Sequence, residues 1–352
     1  MQTRIERLVS VISTAVLAIA CAFILCAVML LVQGISPMET FQCILYGAAG
    51  SSLNLLSSIS AAVPLATAAL GVTIAYRAGV YNIGVEGQIF VGAMFATPVG
   101  TQSIGLPMPI HLLLSLLAGM LGGALWALLP AVMKVRKGFN EVITTVLLNY
   151  IGIYLVSYAV SGPLRQEGSY VNQSAPIVAS SVLPRLVKGS DLNAGIFLLV
   201  IALVVVTILL KKSDWGYEID VVGKNPLAAQ TFGIEPGRTT IAVMLLSGAL
   251  AGLAGTIEVL GNQGVLAENF AVNMGYNSIS VALLGGLSGP GCLLAALFMG
   301  GLRNGGIMMQ ISMGISSTLI NVLQAILILT VLTFTTVKIV LPIVRKRRVG
   351  HA

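Results

Sequence analysis

Long stretches of apolar residues with few charges recur along the whole chain, from Leu8 to Leu341. A soluble protein could not cover that much apolar surface, since 57% of the 352 residues are hydrophobic and only 9% are charged. The hydrocarbon core of a bilayer needs about 20 consecutive apolar residues for each crossing helix. The sequence therefore predicts an all-α, polytopic helical membrane bundle that occupies residues 1–352 as a single transmembrane domain.

The apolar stretches divide into about ten predicted membrane-spanning helices, some of them broken or re-entrant. The first follows two arginines, as a signal peptide would, but its run of about 25 residues exceeds the 7–15 of a cleavable apolar core. We therefore keep it as a span. The predicted spans are Leu8–Val32, Ile59–Ala75, Ile83–Val99, Ile110–Met133, Val142–Val160, Ala194–Leu210, Thr240–Leu260, Tyr276–Leu287, Leu293–Ile311 and Thr318–Val340.

The basic residues sort by membrane side. An even number of spans places both termini on one side, which receives 15 of the 19 lysines and arginines. Arg303 falls inside the ninth span. Because basic residues concentrate in cytoplasmic loops, the pattern predicts cytoplasmic termini, with an outer connection at residues 161–193 and an inner one at residues 211–238. The opposite side receives only three basic residues, which are Arg165, Arg185 and Lys188.

Motifs for nucleotide, metal or covalent chemistry are missing from this sequence. The lone Gly223-Lys224 pair is followed by Asn225 and lacks the glycine spacing of a phosphate-binding loop, so any ATP must be hydrolysed by another chain. The two histidines assemble no catalytic or metal-ligand cluster, and the four cysteines have no metal spacing. The net charge of +7 sorts by membrane side and does not indicate nucleic-acid binding. We predict a chain that is not an enzyme and holds no cofactor.

The segment Tyr81–Gln88 places polar side chains next to several glycines at the start of a predicted span. A carboxylate near the bilayer centre costs roughly 2.5–3.5 kcal/mol, so Glu86 should face protein or water. Asn82 lies one helical turn before Glu86, and the glycines favour a broken helix of the kind that binds solutes in transporters. The alternative is an interior ion pair between Arg77 and Glu86, with glycines that only permit close packing.

A polar stripe marks the next span but one. Glu141, Thr145 and Asn149 recur every four residues on an otherwise apolar helix, which is typical of a helix that lines a pathway. The alternative for the start of this stripe is that Asn140 caps the helix and Glu141 supplies a favourable charge in its first turn.

Glycines 248, 252 and 255 form a small-residue face that predicts close helix packing. Further along the same helix, Glu258 and Asn262 lie one turn apart near the outer boundary, where they could meet a solute or reach headgroup water. The candidate pathway residues are Asn82, Glu86, Gln88, Glu141, Thr145, Asn149, Glu258 and Asn262.

The inner connection contains a predicted short amphipathic helix at Pro226–Phe232. Proline favours the first position of a helix and glycine the position after its end, so Pro226 and Gly233 delimit it. This helix could act as a lever on the cytoplasmic face, or it could only close the loop.

With these motifs, the chain resembles the permease family of ATP-binding-cassette (ABC) importers for ribose, branched-chain amino acids and nucleosides. It is most similar to the nucleoside or simple-sugar branch, through the Asn-Ile-Gly-Val-Glu-Gly-Gln and Asn-Glu-Val-Ile sequences. The matching segments are Tyr81–Gln88, Gly138–Tyr150, Gly216–Ile234, Ser247–Gly255 and Ala282–Gly291.

The resemblance implies a set of partners in the cytoplasmic membrane. A cytosolic ABC ATPase would dock on the inner connection, a second permease would pair with this one in the bilayer, and an extracytoplasmic binding protein would deliver the solute. The residues expected to couple to the ATPase are Gly223, Asn225, Pro226, Ala228, Ala229, Gly233 and Ile234.

The expected function is import of a nucleoside or related simple sugar by alternating access. The alternative is an ion-coupled secondary transporter, in which Glu86 or Glu258 carries a coupling proton or sodium ion. A membrane enzyme or scaffold is a third possibility, for which the sequence offers no catalytic constellation.

Overall fold

The computed structural model describes residues 20–316, 319–326, 328–330 and 333, and within them the secondary structure is helical with three isolated β-bridges. A π-helical turn at Glu258–Gln263 continues α10. In chain order the helices are α1 (Ala20–Val32), α2 (Pro37–Ala49), α3 (Ser52–Arg77), α4 (Val85–Thr101), α5 (Met108–Lys137), α6 (Glu141–Ser161), α7 (Gly195–Lys212), α8 (Asp214–Lys224), α9 (Pro226–Thr231), α10 (Pro236–Ile257), α11 (Met274–Leu284), α12 (Gly289–Met313) and α13 (Leu319–Thr330).

The predicted all-α membrane bundle is confirmed. Within the described residues, six helices are long and apolar enough to cross a membrane, namely α3, α5, α6, α7, α10 with its π turn, and α12. The count of ten spans was approximate, because the helices in two other predicted spans are short: α4 has 17 residues and α11 has 11. Residues 8–19 of the predicted span Leu8–Val32 lie outside the described residues, as do residues 318, 327, 331, 332 and 334–340 of the predicted span Thr318–Val340. The described parts of these two spans contain α1 and α13.

Local sequence signals set many of the helix ends. Asparagine and serine side chains accept hydrogen bonds from the free N–H groups of the first turn, which stabilises the start of a helix. Gly138 ends α5 in the left-handed conformation, with φ +69°, where glycine is strongly favoured. The capping side chains are Ser36 for α2, Asn140 for α6, Ser213 for α8 and Asn225 for α9.

The chain divides into two compact units. One unit comprises the residues up to Leu55 together with those from Gly301 onward. Its buried core contains Cys26, Leu30, Met309, Ile315, Leu319 and Leu323. Within it the Asn304 amide donates to the carbonyl oxygens of Gly47 (2.7 Å) and Asn54 (3.0 Å). Arg303 also lies in this unit and forms no ion pair with any other described residue.

The other unit, Leu56–Gly300, is centred on α4, α5 and α10, which approach each other at glycines. A Cβ atom on Gly252 of α10 would overlap the carbonyl oxygen of Gly119 on α5, and one on Gly92 of α4 would overlap Gly252 itself. Gly248 and Gly255 make similar close approaches, to Gly123 and Ile89. The predicted small-residue packing face is therefore confirmed.

The outer connection lies against the π turn and the segment that follows it. The backbone N–H groups of Ser174, Ile177 and Leu183 donate to the carbonyl oxygens of Leu266, Gly264 and Leu260, at 2.8–2.9 Å. The Ser174 hydroxyl in turn accepts from the Leu266 N–H (2.9 Å). These contacts join residues 161–193 to residues 260–268, two stretches far apart in sequence.

Candidate functional site

A break between α3 and α4 carries the first group of candidate residues. The chain leaves α3 at Arg77, turns at Gly79 with φ +71°, and re-enters a helix at Val85. The Asn82 side chain organises the break: its Oδ1 accepts from the Gly84 N–H (3.0 Å), and its amide pairs reciprocally with the Gln88 amide (2.9 and 3.0 Å). Asn82 also donates to the Ser247 hydroxyl on α10 (2.9 Å). The broken helix predicted from the glycines is therefore present.

Glu86 is 2% exposed and binds the start of α11. Its Oε1 accepts from the Asn273 N–H (2.6 Å) and its Oε2 from the Gly275 N–H (2.5 Å). Free N–H groups and the positive end of the helix dipole favour a carboxylate at this position. The alternative ion pair between Arg77 and Glu86 is wrong, because Arg77 bonds instead to Asp220 on α8.

Asn149 joins α6 to the same break. Its Oδ1 accepts from the Gly87 N–H (2.8 Å), and its amide donates to the Ile83 carbonyl (2.9 Å) and the Tyr276 hydroxyl (3.2 Å). Asn82, Glu86, Gln88 and Asn149 thus form one buried polar cluster around residues 82–88.

The N-terminal end of α6 contains the rest of the stripe. Asn140 caps the helix, with its Oδ1 accepting from the Val142 N–H (2.9 Å), so the capping interpretation holds for Asn140. Glu141 forms an ion pair with Lys134 of α5 and also accepts from the Tyr81 N–H (3.5 Å). Thr145 is buried, and its hydroxyl donates back to the Glu141 carbonyl (2.6 Å).

Glu258 and Asn262 form a second polar group in the π turn. The Asn262 and Gln263 amides donate to the Glu258 carboxylate at 2.6 and 3.2 Å. The Asn262 Oδ1 accepts from the Ser60 hydroxyl (3.0 Å) and the Asn193 amide (2.9 Å). Among the described residues, no hydrogen bond joins this group to the cluster around Glu86.

The inner connection folds into α8 and α9. Asn225 lies between them, and its side chain accepts from the N–H groups of Leu227 (3.0 Å) and Ala228 (3.1 Å). α9 buries Ala229 completely and leaves Leu227 and Phe232 75% and 78% exposed. The short helix predicted from Pro226 and Gly233 is confirmed, and Gly233 takes the left-handed conformation, with φ +78°.

Comparison with known proteins gives a family match over most of the chain. Residues 54–332 match the family described as "Branched-chain amino acid transport system / permease component". This chain belongs to that permease family.

Similar permeases come from several prokaryotes. The guanosine ABC transporter permease protein NupP of Bacillus subtilis is 33% identical over 91% of this chain and 93% of its own length. The glucose ABC transporter permease protein TsgB13 of Haloferax volcanii is also 33% identical, over 91% of this chain and 87% of its own. The nucleoside ABC transporter permease protein NupB of Lactococcus lactis is 30% identical over 68% of each chain.

The sequence analysis missed two features of this permease. Asp220, the partner of Arg77, is separated from it by 143 positions, so no local pattern reveals the pair. Leu227 and Phe232 were not among the residues predicted to couple to the ATPase, although they are the exposed apolar side chains of the segment predicted as a short amphipathic helix. Within the described residues, no three His, Cys, Asp or Glu side chains are grouped to hold a metal ion.

Proposed function

We propose that this permease imports a nucleoside or related simple sugar across the cytoplasmic membrane, by alternating access driven by a separate ABC ATPase. The relatives named for guanosine, nucleosides and glucose support the solute class. The sequence contains no phosphate-binding loop, so ATP hydrolysis belongs to a partner. The distribution of basic residues favours cytoplasmic termini, and hence a cytoplasmic α9.

The observation that carries the proposal is the form of the inner connection. A two-turn helix with a capped start, a buried Ala229 and two exposed apolar side chains presents a small, rigid surface. Neighbouring exposed apolar side chains on a helix outside the membrane-spanning segments are typical of a protein contact. We assign this surface, formed by Leu227, Ala228 and Phe232, to the ATPase, and call it the α9 surface.

The buried cluster around residues 82–88 is proposed to form the moving part of the pathway. Asn82, Glu86, Gln88, Thr145 and Asn149 connect the broken helix to α6, α10 and α11, so a tilt of one helix would displace the others. A helix movement that opens the hydrogen bonds at the break would expose amide and backbone groups that can bind a hydroxyl-rich, uncharged solute after water is removed.

The outer polar group and the outer connection are proposed to receive the solute. Glu258 and Asn262 offer carboxylate and amide groups that suit sugar hydroxyls. The outer connection, residues 161–193, forms backbone hydrogen bonds with residues 260–268, which include and follow Asn262. An extracytoplasmic binding protein would dock on this side, and a second permease, identical or related, would complete the translocation path.

The test is purification of the tagged permease with the products of its neighbouring genes, followed by reconstitution into liposomes. We expect an ATPase to co-purify with the permease. We also expect the uptake of labelled guanosine, or of another labelled nucleoside, to require ATP. A variant of that ATPase that cannot hydrolyse ATP is the control and should abolish uptake. The proposal would be contradicted if the permease purified alone and its uptake did not depend on ATP but stopped when an ion gradient was dissipated. That result would establish an ion-coupled secondary transporter.

A further inference from the structure

Arg77, the last residue of α3, bonds to Asp220 on α8 through both of its fork positions. The Arg77 Nε donates to Asp220 Oδ1 at 2.8 Å and Nη2 donates to Oδ2 at 2.5 Å. The two side chains are only 24% and 30% exposed. A two-point guanidinium–carboxylate contact fixes direction as well as distance, which a lysine cannot do.

A backbone contact reinforces this attachment one turn further along α8. A Cβ atom on Gly223 would overlap the carbonyl oxygen of Arg77, so only glycine permits this approach. Gly79 also faces Gly223, since its own Cβ would meet the Gly223 Cα at 3.4 Å, an ordinary contact. α8 is therefore attached at Asp220 and at Gly223 to the point where α3 breaks.

The same helix is joined to the α9 surface through one residue. The Asn225 N–H donates to the Val221 carbonyl at the end of α8 (3.0 Å), while its side chain caps α9. Because Asn225 closes one helix and opens the next, a displacement of α9 reaches α8 without an intervening loop.

On the other side of Arg77, seven residues, 78–84, lead to α4, and hydrogen bonds hold them along this stretch. The Val80 N–H donates to the Ala75 carbonyl (3.0 Å), and Asn82 is held by Gln88 and Ser247. Glu86 then binds the start of α11. A shift of the α3 end would therefore reach the polar cluster around residues 82–88.

We propose that Arg77 and Asp220 are positioning residues that transmit the ATPase-driven movement of α9 to the broken helix that carries Asn82 and Glu86. This inference rests on the proposed function. A partly exposed pair adds little to stability. Its loss should uncouple ATP hydrolysis from transport while the permease still folds and binds its ATPase.

The test compares Arg77→Gln, Asp220→Asn and the double variant in the reconstituted complex with its ATPase. We expect each single variant to retain the ATPase and a wild-type melting temperature, and to lose about fivefold or more in solute imported per ATP hydrolysed, the range of ordinary allosteric coupling. The double variant should be no worse than either single one, because the two residues act as a unit. The matched control is Arg238→Gln, which breaks the exposed pair with Glu235 on the same connection and should change nothing.

Two results would overturn the inference. Wild-type import per ATP in both single variants would show that the pair transmits nothing, and losses that multiply in the double variant would show that the two residues act separately. Either result leaves the proposed function intact, because the wild-type complex still couples ATP to uptake. If the wild-type permease bound no ATPase, that result would contradict the proposed function itself, and the inference with it.

Discussion

Glu86 shows how backbone N–H groups can accommodate a single acidic residue in a membrane bundle. Its carboxylate accepts two backbone N–H groups at the start of α11, where helix geometry leaves those donors free. The carboxylate and the two N–H groups therefore satisfy each other, where each would otherwise be buried without a hydrogen-bond partner. Through these two hydrogen bonds, Glu86 links α4 to α11.

Replacing Glu86 should weaken that link in proportion to the acceptors lost. Glu86→Leu leaves the N–H groups of Asn273 and Gly275 unpaired, at about 1–3 kcal/mol each, whereas Glu86→Gln keeps one accepting oxygen. We expect melting temperatures in detergent to fall in the order wild type, Gln, Leu, and uptake of labelled nucleoside to fall in the same order. Glu167→Gln, at an exposed position of the outer connection, is the control. Equal stability of all three proteins would contradict the assignment.

The sequence predicted at this scale which residues must be buried, but not what they bind. Local partners were accessible: Asn140 caps the helix that it precedes, as its position indicates. Distant partners were not accessible from the sequence. Glu86 bonds to residues almost 190 positions away, and Arg77 bonds to Asp220 instead of Glu86, which is nearer in sequence. The cost of burial can be read from composition, whereas the choice of partner depends on the packed bundle.

At the scale of elements, α4, α5 and α10 approach each other because glycines remove side chains from the contact. Without a hydrophobic effect between helices in lipid, close backbone packing is a main source of association. We predict that Gly252→Ala, whose new Cβ would overlap the Gly119 carbonyl oxygen, destabilises the permease by about 1–3 kcal/mol. Thermal unfolding in detergent measures this effect.

Gly301→Ala is the matched control for that substitution. It also lies inside a helix, but its new Cβ would meet only the Ala48 Cβ at 3.5 Å, an ordinary contact. Alanine is favoured over glycine in a helix by up to about 1 kcal/mol, so stability should stay equal or rise. Equal losses at the two positions would indicate a general intolerance of substitution instead of close packing at Gly252.

The outer connection carries a pH-dependent contact. Hydrogen bonds from Ser157 (2.6 Å) and Asn172 (3.2 Å) hold the pKa of Glu268 below its ordinary value of 4.5. A lowered pKa stabilises the folded chain above pH 4.5, and the contribution disappears as pH falls through the lowered value. We expect the melting temperature of Glu268→Gln to depend less on pH in this acidic range than that of wild type. Parallel curves for the two proteins would contradict this.

Element predictions succeeded where the signal is local and failed where it is not. Pro226 and Gly233 bound α9 because their backbone preferences act within one turn. The π turn at Glu258–Gln263 had no such signal, since it depends on the contacts of Asn262 with Ser60 and Asn193 from other parts of the chain. The predicted span Tyr276–Leu287 likewise ran three residues past the end of α11, which stops at Leu284 before Gly285 and Gly286.

For the whole molecule, hydropathy was sufficient to predict the membrane bundle but not the surfaces that its partners use. Apolar side chains facing lipid and apolar side chains facing a protein look alike in sequence. On α9 the structure separates them: Ala229 faces inward, and Leu227 and Phe232 face outward. A charge at Ala229 would therefore test folding, whereas a charge at Phe232 tests docking.

We predict that Phe232→Glu abolishes co-purification of the ATPase without lowering the melting temperature of the permease. The side chain is 78% exposed, so its replacement removes little internal packing, while a charge in an apolar contact must be desolvated without a partner. Val171→Glu, at an exposed apolar position of the outer connection, is the control and should retain the ATPase. If the Phe232→Glu permease still bound its ATPase, the assignment of the docking surface to α9 would be wrong. Loss of binding in both variants would show instead that any added charge disturbs assembly.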